Sequence, residues 1–128
     1  MEYTILIVDD EEAYHRLITK FLERFTKHKF TVHSAENGAA GVEMYGKLAS
    51  EGHKPDLVLM DLRMPVMDGV EATKRIIEHD PKANIRLFTA YAETEAEREA
   101  LKAGAKGTIS KGADWHWTTE VIIQSLKG

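Results

Sequence analysis

The chain has 128 residues, no cysteine, and 17 lysines and arginines against 21 aspartates and glutamates, which gives a formal net charge of -4. This length is typical of a single domain, so we expect residues 1–128 to form one folded unit. The absence of cysteine excludes disulfides and thiol chemistry and is typical of a soluble, cytoplasmic protein. The acidic balance disfavours direct binding to DNA or RNA, and the longest aliphatic runs are far shorter than the ~20 residues of a membrane span.

Short aliphatic runs alternate with amphipathic stretches along the whole chain, which predicts five strand-helix units. In chain order, the strands are expected near Thr4–Val8, Phe30–Ser34, Leu57–Met60, Ile85–Phe88 and Gly107–Ser110. Each run is too short and too continuous for a helix, as is typical of strands that are buried on both faces of a sheet.

The helices are expected between and after these strands. The first is predicted over Glu12–Phe25, with Leu17, Phe21 and Leu22 on one stripe that packs on the sheet. The other four are predicted to begin at capping residues, which in chain order are Asn37, Asp68, Thr94 and Asp114. They are predicted to end before Gly52, before Pro81, at Gly104 and near Leu126.

This alternation predicts an α/β fold of the flavodoxin-like type, a five-stranded parallel sheet in the order 2-1-3-4-5 with helices on both faces. Ligands of such sheets bind beyond the carboxyl ends of the strands. Four predicted strands end in polar side chains at this edge: Asp9 and Asp10, Asp61, Thr89 and Lys111. The remaining strand ends in Ser34 and Ala35, which suits an outer position in that order.

The three aspartates are expected to bind a cation. Two carboxylates ~4 Å apart repel by about 4 kcal/mol at an effective dielectric of 20, so they require compensating charge. The hard oxygen ligands, with one ammonium nearby, suit Mg²⁺. The metal and the ammonium together would bind the negative charge of a phosphoryl group. Asp61 stands alone at the end of a buried strand and is the candidate nucleophile toward phosphorus, whereas Asp9 and Asp10 suit metal and its waters.

The segments ILIVDD, PDLVLMDLRMPVMDG, LFTAYAE and GAKGTISK, in this order and spacing, resemble the receiver domain of two-component response regulators over essentially the whole chain. The resemblance implies that Asp61 is the phosphoacceptor and that Thr89 and Lys111 sense the phosphoryl group. It implies Mg²⁺ ligation by Asp10 directly, by Asp9 through water and by the backbone carbonyl of Arg63.

Two positions depart from the family pattern. Gly112 follows Lys111 where the family usually has proline, and glycine adopts the required turn without enforcing it. Thr108 stands where the family has an aromatic residue on the fifth strand. Coupling between the site and the surface is therefore expected to differ here, with Tyr91 as the candidate residue.

The resemblance implies a regulator that is phosphorylated by a sensor histidine kinase or a histidine phosphotransfer protein, and we expect it to act as a stand-alone regulator because no residues remain after the last predicted helix for an output domain. It would then change its affinity for a downstream protein partner, and it would not be an enzyme beyond weak hydrolysis of its own phosphoryl group. The alternative is a receiver-like interaction module that needs no phosphorylation. An FMN carrier is disfavoured because Asp9–Glu12 would repel the cofactor's phosphate, and a Mg²⁺-dependent phosphatase because no insertion is long enough to cover a substrate.

Other residues with chemical potential are expected to have structural roles. Asp68 is interpreted as a helix cap, and the six histidines show no spacing typical of metal ligands. Trp115 and Trp117 point about 200° apart on a helix, so they cannot both face the core, and one is expected to contact a partner.

Overall fold

The computed structural model describes residues 1–127 and confirms five alternating strand-helix units. The strands are β1 (Glu2–Val8), β2 (Lys29–Ala35), β3 (Leu57–Met60), β4 (Ile85–Thr89) and β5 (Thr108–Ser110). The helices are α1 (Glu12–Leu22), α2 (Gly38–Ser50), α3 (Gly69–His79), α4 (Glu95–Ala103) and α5 (Trp115–Leu126). Among residues 1–127, no helix has both the length and the apolar character needed to cross a bilayer.

The strands form one parallel sheet in the order β2-β1-β3-β4-β5, as predicted. Strand β1 pairs with β2 from Glu2↔Lys29 to Val8↔Ala35, and with the central strand β3 from Ile5↔Leu57 to Val8↔Met60. Helices cover both faces of this parallel sheet, and every residue of β3 is fully buried as a result.

The sheet separates two apolar clusters. Leu6 and Val8 of β1 face the cluster beneath α2, α3 and α4. Ile5 and Ile7 face the opposite cluster, which α1 and α5 cover. This alternation follows from the two-residue period of a strand and assigns successive residues to opposite faces of the sheet.

Helix α1 differs from the prediction in its buried stripe and its end. Ile18 and Leu22 are buried together with His15, whereas Leu17 and Phe21 are only half-buried. The helix ends at Leu22 because the following residues form tight turns, in which the Phe25 N–H donates to the Leu22 carbonyl. The sequence expectation of Phe25 as the last helical residue was therefore wrong.

The four predicted capping residues are confirmed. The side chains of Asn37, Asp68, Thr94 and Asp114 each accept a hydrogen bond from a backbone N–H in the first turn of their helix. At α4 the reciprocal bond of the capping box is displaced, because the Glu97 carboxylate accepts from the N–H of Glu93 at 2.9 Å.

Candidate functional site

The strand order brings four polar strand ends to one edge of the sheet. Asp9 follows β1, Asp61 follows β3, Thr89 ends β4 and Lys111 follows β5. Asp9, Asp61 and Thr89 are buried, with 1%, 4% and 0% of their surface exposed, and the Lys111 side chain is 5% exposed. Asp10, next to Asp9, is exposed. The structure therefore brings together the charged residues that the sequence singled out.

Lys111 is the centre of the charged cluster. Its Nζ lies 2.8 Å from Asp9 Oδ2 and 3.0 Å from Asp61 Oδ2, and it donates a hydrogen bond to the latter. Glu11, at 3.8 Å, is a third and more exposed carboxylate near the same ammonium. Burial alone lowers the pKa of Lys111, but its hydrogen bond to Asp61 and its ion pairs with Asp9 and Asp61 outweigh burial and raise this pKa. The ammonium therefore stays charged at neutral pH.

The two buried carboxylates are also held by backbone donors. The N–H of Glu11 donates to Asp9 Oδ1 at 2.9 Å, and the N–H of Leu62 donates to Asp61 Oδ1 at 2.8 Å. Burial raises the pKa of Asp61, and the opposing effects of Lys111 and of the Leu62 N–H do not fully cancel this. These contacts fix the orientation of both carboxylates.

The start of α3 is packed directly against the phosphoacceptor candidate. Gly69 is the first residue of this helix, and its N–H donates to the Leu62 carbonyl at 2.9 Å. A Cβ at Gly69 would collide with the backbone carbonyl of Asp61, so only glycine allows this approach. Asp68 caps α3 by accepting from the Glu71 N–H at 2.9 Å, which confirms its structural role.

The residues present fit a divalent cation. Asp9, Asp10 and Asp61 each offer a carboxylate oxygen, and these oxygens lie within 4.8 Å of one another. Ligands of an octahedral ion at about 2.1 Å are separated by roughly 3 to 4 Å, so small shifts would bring this set into range. Three carboxylates and one ammonium carry a formal charge of -2, which a divalent ion neutralises. Hard oxygen donors favour Mg²⁺ over softer metals.

Two loops lie around the buried Thr89, the β3-α3 loop with Arg63 and the β4-α4 loop with Tyr91, and we call these two loops the rim of the site. The Thr89 Oγ1 accepts a hydrogen bond from the N–H of Tyr91 at 3.0 Å. Arg63 lies two residues beyond Asp61, and its guanidinium carbon is 4.2 Å from the centroid of the Tyr91 ring. This stacked pair joins the β3-α3 loop to the β4-α4 loop at the surface, where Tyr91 is 41% exposed.

Two residues of α1 contact the site but were not predicted to do so. The Lys111 Nζ lies 4.2 Å from the centroid of the Tyr14 ring, and the His15 Nε2 lies 2.8 Å from the Asp9 carbonyl oxygen. Both residues stand in the first turns of the helix that directly follows Asp9 and Asp10. Their closeness in sequence to Asp9 and Asp10 is the feature of the sequence from which their contact with the site could have been predicted.

The predicted divergence of the two tryptophans is confirmed. Trp115 stacks on Phe21 at 5.5 Å between ring centroids, whereas Trp117 is 49% exposed. That Trp117 contacts a partner stays a prediction.

Comparison with known proteins agrees with this geometry. The family model of the response regulator receiver domain matches residues 5–122. The chemotaxis protein CheY of Bacillus subtilis (strain 168) is 42% identical over 127 residues, which are 98% of this chain and 99% of that protein. The regulatory protein AtoC of Escherichia coli (strain K12) is 39% identical over 123 residues, 96% of this chain, and the chain spans only 25% of it.

A solved structure shares the fold as well. The crystal structure of a CheX-CheY-BeF3-Mg+2 complex from Borrelia burgdorferi contains a chain that superposes with a TM-score of 0.78 at 26% identity. The match covers 95% of this chain and 87% of that one.

Proposed function

The chain belongs to the response regulator receiver domain family, and on that premise we propose that it accepts a phosphoryl group on Asp61 from a histidine kinase or a histidine phosphotransfer protein. Members of this family are phosphoacceptors rather than ordinary enzymes. The observation that carries the assignment is that Asp9 and Asp61 lie 2.8 and 3.0 Å from one buried ammonium, with a third carboxylate within reach.

The chemistry follows from these side chains. A carboxylate oxygen of Asp61 forms a bond to phosphorus while the bond from phosphorus to the donor's histidine nitrogen breaks, and the electron pair stays on that nitrogen. Asp9 and Asp10, with Asp61 and the carbonyl of Arg63, would hold Mg²⁺, which supplies positive charge to the phosphoryl oxygens. Lys111 and the Thr89 hydroxyl contribute the remaining charge and hydrogen bonding.

The output is proposed to be a change in affinity for a downstream protein partner. Of the two carboxylates that hold Lys111 in the resting structure, Asp61 is the one that phosphorylation would modify, so the contacts of Lys111 would change with it. The alternative, an interaction module that needs no phosphorylation, predicts partner binding that is independent of Asp61. Burial favours the first reading, because Asp9 and Asp61 are only 1% and 4% exposed and offer almost no surface to a partner.

Replacing Asp61 with asparagine tests the assignment. Asn keeps the shape and removes the nucleophilic charge, so the variant is expected to incorporate no phosphate from acetyl phosphate with Mg²⁺. Intact-mass spectrometry reads the product, because a phosphoryl group adds about 80 Da. Asp68→Asn is the matched control, since Asp68 lies in the same segment but caps α3. A base-labile adduct that persists on the Asp61 variant would move the acceptor to another residue.

Hydrolysis of the phosphoryl group is proposed to be slow. Arg63 and Tyr91 stack on each other at 4.2 Å, and neither offers a carboxylate or amide to orient an attacking water. Replacing Arg63 with Asn and Tyr91 with Glu together is expected to shorten the phosphorylated lifetime about tenfold, which corresponds to ~1.4 kcal/mol in the barrier.

Tyr91→Phe is the control for this lifetime, because it keeps the ring and therefore the stack. The decay of radiolabel is measured at saturating Mg²⁺. An unchanged or longer lifetime in the double variant would refute the shielding role of the pair and would leave the acceptor assignment intact.

A further inference from the structure

The backbone after Lys111 does not by itself determine where its side chain lies. Gly112 has φ of +89°, a conformation that glycine adopts at little cost, and a Cβ there would meet no atom within 4 Å. The Lys111 side chain is nevertheless only 5% exposed. Its position therefore depends on the groups that contact it.

Two of those groups carry no charge, and the Tyr14 ring is the nearer of them. The Lys111 Nζ lies 4.2 Å from the centroid of the Tyr14 ring and 5.6 Å from that of Phe88, within the range of an attractive cation-π contact. The Tyr14 ring is itself fixed by an edge-on contact with Phe88, with centroids 5.4 Å apart and planes at 84°. The Trp115 ring also lies near it, with centroids 6.2 Å apart.

The ring and the carboxylates respond differently when the site changes charge. Asp9 and Asp61 are candidate ligands of Mg²⁺, and Asp61 is the candidate phosphoacceptor, so their attraction for Lys111 weakens whenever a cation shares their oxygens. The face of Tyr14 keeps the same partial charge throughout. It is therefore the contact that can hold the ammonium in place while its ionic partners change.

We propose that Tyr14 is a positioning residue, whose ring face seats the ammonium of Lys111 beside Asp9 and Asp61. The consequence for phosphoryl transfer rests on the function proposed above. The position of the Lys111 ammonium over the Tyr14 ring does not rest on that function, because it is a feature of the unphosphorylated site.

Three variants separate the ring face from other contributions. Tyr14→Leu removes the aromatic face, and Tyr14→Phe keeps it. Phe21→Leu is the matched control, because Phe21 lies on the same helix and stacks on Trp115 without contacting Lys111. If Tyr14→Leu does not fold, Tyr14→Met fills the space with an unbranched apolar chain and takes its place.

The first measurement is the proton chemical shift of the Lys111 Hε atoms by NMR, without metal or phosphodonor. Protons over an aromatic face are shifted upfield, and we expect this shift in the native chain, in Tyr14→Phe and in Phe21→Leu. It is expected to be lost in Tyr14→Leu. An unchanged shift in Tyr14→Leu, or an equal loss in Phe21→Leu, would overturn the proposal.

The second measurement is the rate of phosphorylation by acetyl phosphate at saturating Mg²⁺. We expect a loss of about thirtyfold in Tyr14→Leu and native rates in Tyr14→Phe, because a desolvated cation-π contact contributes about 2 kcal/mol and each 1.36 kcal/mol is tenfold in rate. Equal rates in Tyr14→Leu and the native chain would overturn the functional part of the proposal. A native chain that takes up no phosphate would refute the proposed function, and the metal-free NMR comparison would still decide whether Tyr14 positions Lys111.

Discussion

Replacing Asp10 with alanine is expected to have opposite effects on stability in the absence and in the presence of Mg²⁺. Its carboxylate lies within 4.8 Å of those of Asp9 and Asp61. Lys111 forms its close ion pairs with those two buried residues, at 2.8 and 3.0 Å, and the Asp10 side chain is the exposed member of the group. Asp10 therefore adds a charge that the lysine compensates least.

The magnitude follows from the separation and the exposure. Two unit charges 4.8 Å apart repel by about 3.5 kcal/mol at an effective dielectric of 20, and by about 0.9 kcal/mol at the dielectric of water. Asp9, Asp61 and Lys111 together act on Asp10 as roughly one negative charge. A carboxylate just before α1 also gains about 0.3 to 1 kcal/mol from the helix dipole. The net gain from Asp10→Ala without metal is therefore about 1 kcal/mol.

Thermal unfolding in a chelator and in excess Mg²⁺ measures both effects. Without metal, a gain of 1 kcal/mol raises Tm by roughly 3 to 4 °C in a domain of this size. With Mg²⁺ at a hundred times its Kd, the native chain gains about 2.7 kcal/mol from binding, most of which Asp10→Ala should lose. The order of the two proteins is expected to reverse.

Glu12→Ala is the matched control, because Glu12 is an exposed acid in the first turn of the same helix and pairs with Arg16 at 3.4 Å. It is expected to be slightly destabilised in both buffers. If Asp10→Ala is destabilised in the chelator as Glu12→Ala is, the helix dipole outweighs the repulsion and the electrostatic account of the cluster fails.

Two further predictions concern stability away from the site. The buried Tyr45 hydroxyl donates to Asp80 Oδ2 at 2.7 Å, so Tyr45→Phe is expected to cost about 1 to 2 kcal/mol in urea unfolding at pH 7. The Lys54 ammonium lowers the pKa of Asp80, as does the Tyr45 hydroxyl, while burial opposes both. The cost of Tyr45→Phe should therefore hold above the ordinary Asp pKa near 4 and vanish as the pH falls through the lower pKa that Asp80 has in the folded state. A cost that stays constant down to pH 2 would contradict this account. Val66 is 85% exposed at φ of +68°, so Val66→Gly should raise the free energy of unfolding by a net ~0.5 to 1 kcal/mol after the entropy of glycine is subtracted, and Tm should rise with it. A lower Tm would mean that the turn is unstrained.

The strand order and the polar strand ends could be predicted because they depend on local pattern. Four-residue aliphatic runs such as Leu57–Met60 must be buried on both faces, and the side chain that follows each run must emerge at the same edge. The ends of elements depend on tertiary pairing instead. β1 begins at Glu2 rather than Thr4 because Glu2 and Tyr3 pair with Lys29 and Phe30, which no apolar run reveals.

The site was predictable in its charges and less so in its apolar contacts. Asp9, Asp61 and Lys111 are separated by 52 and 50 residues, yet each follows a recognisable strand. Tyr14 follows no strand, and its contact with Lys111 depends on how α1 is rotated against α5 and β4. The sequence predicted that Leu17 and Phe21 of α1 face the sheet, whereas His15 and Ile18 do so in the structure. With the helix rotated in this wrong way, the contact of the Tyr14 ring with Lys111 could not be predicted.

The centre of the site, around Lys111, and its rim, with Arg63 and Tyr91, depend on interactions that differ in their sensitivity to salt. Lys111 is held by buried carboxylates and a ring face, where mobile ions penetrate poorly, and the seating of its ammonium should change little between low and high ionic strength. The Arg63–Tyr91 stack is exposed, and its guanidinium is open to screening and to competing anions. Raising the salt concentration should consequently loosen the rim while leaving the ion-paired centre intact. A phosphorylated lifetime that shortens with salt while the Lys111 Hε shift stays constant would locate the control of hydrolysis at the rim, and an Hε shift that moves with salt would contradict the salt-insensitive position of Lys111.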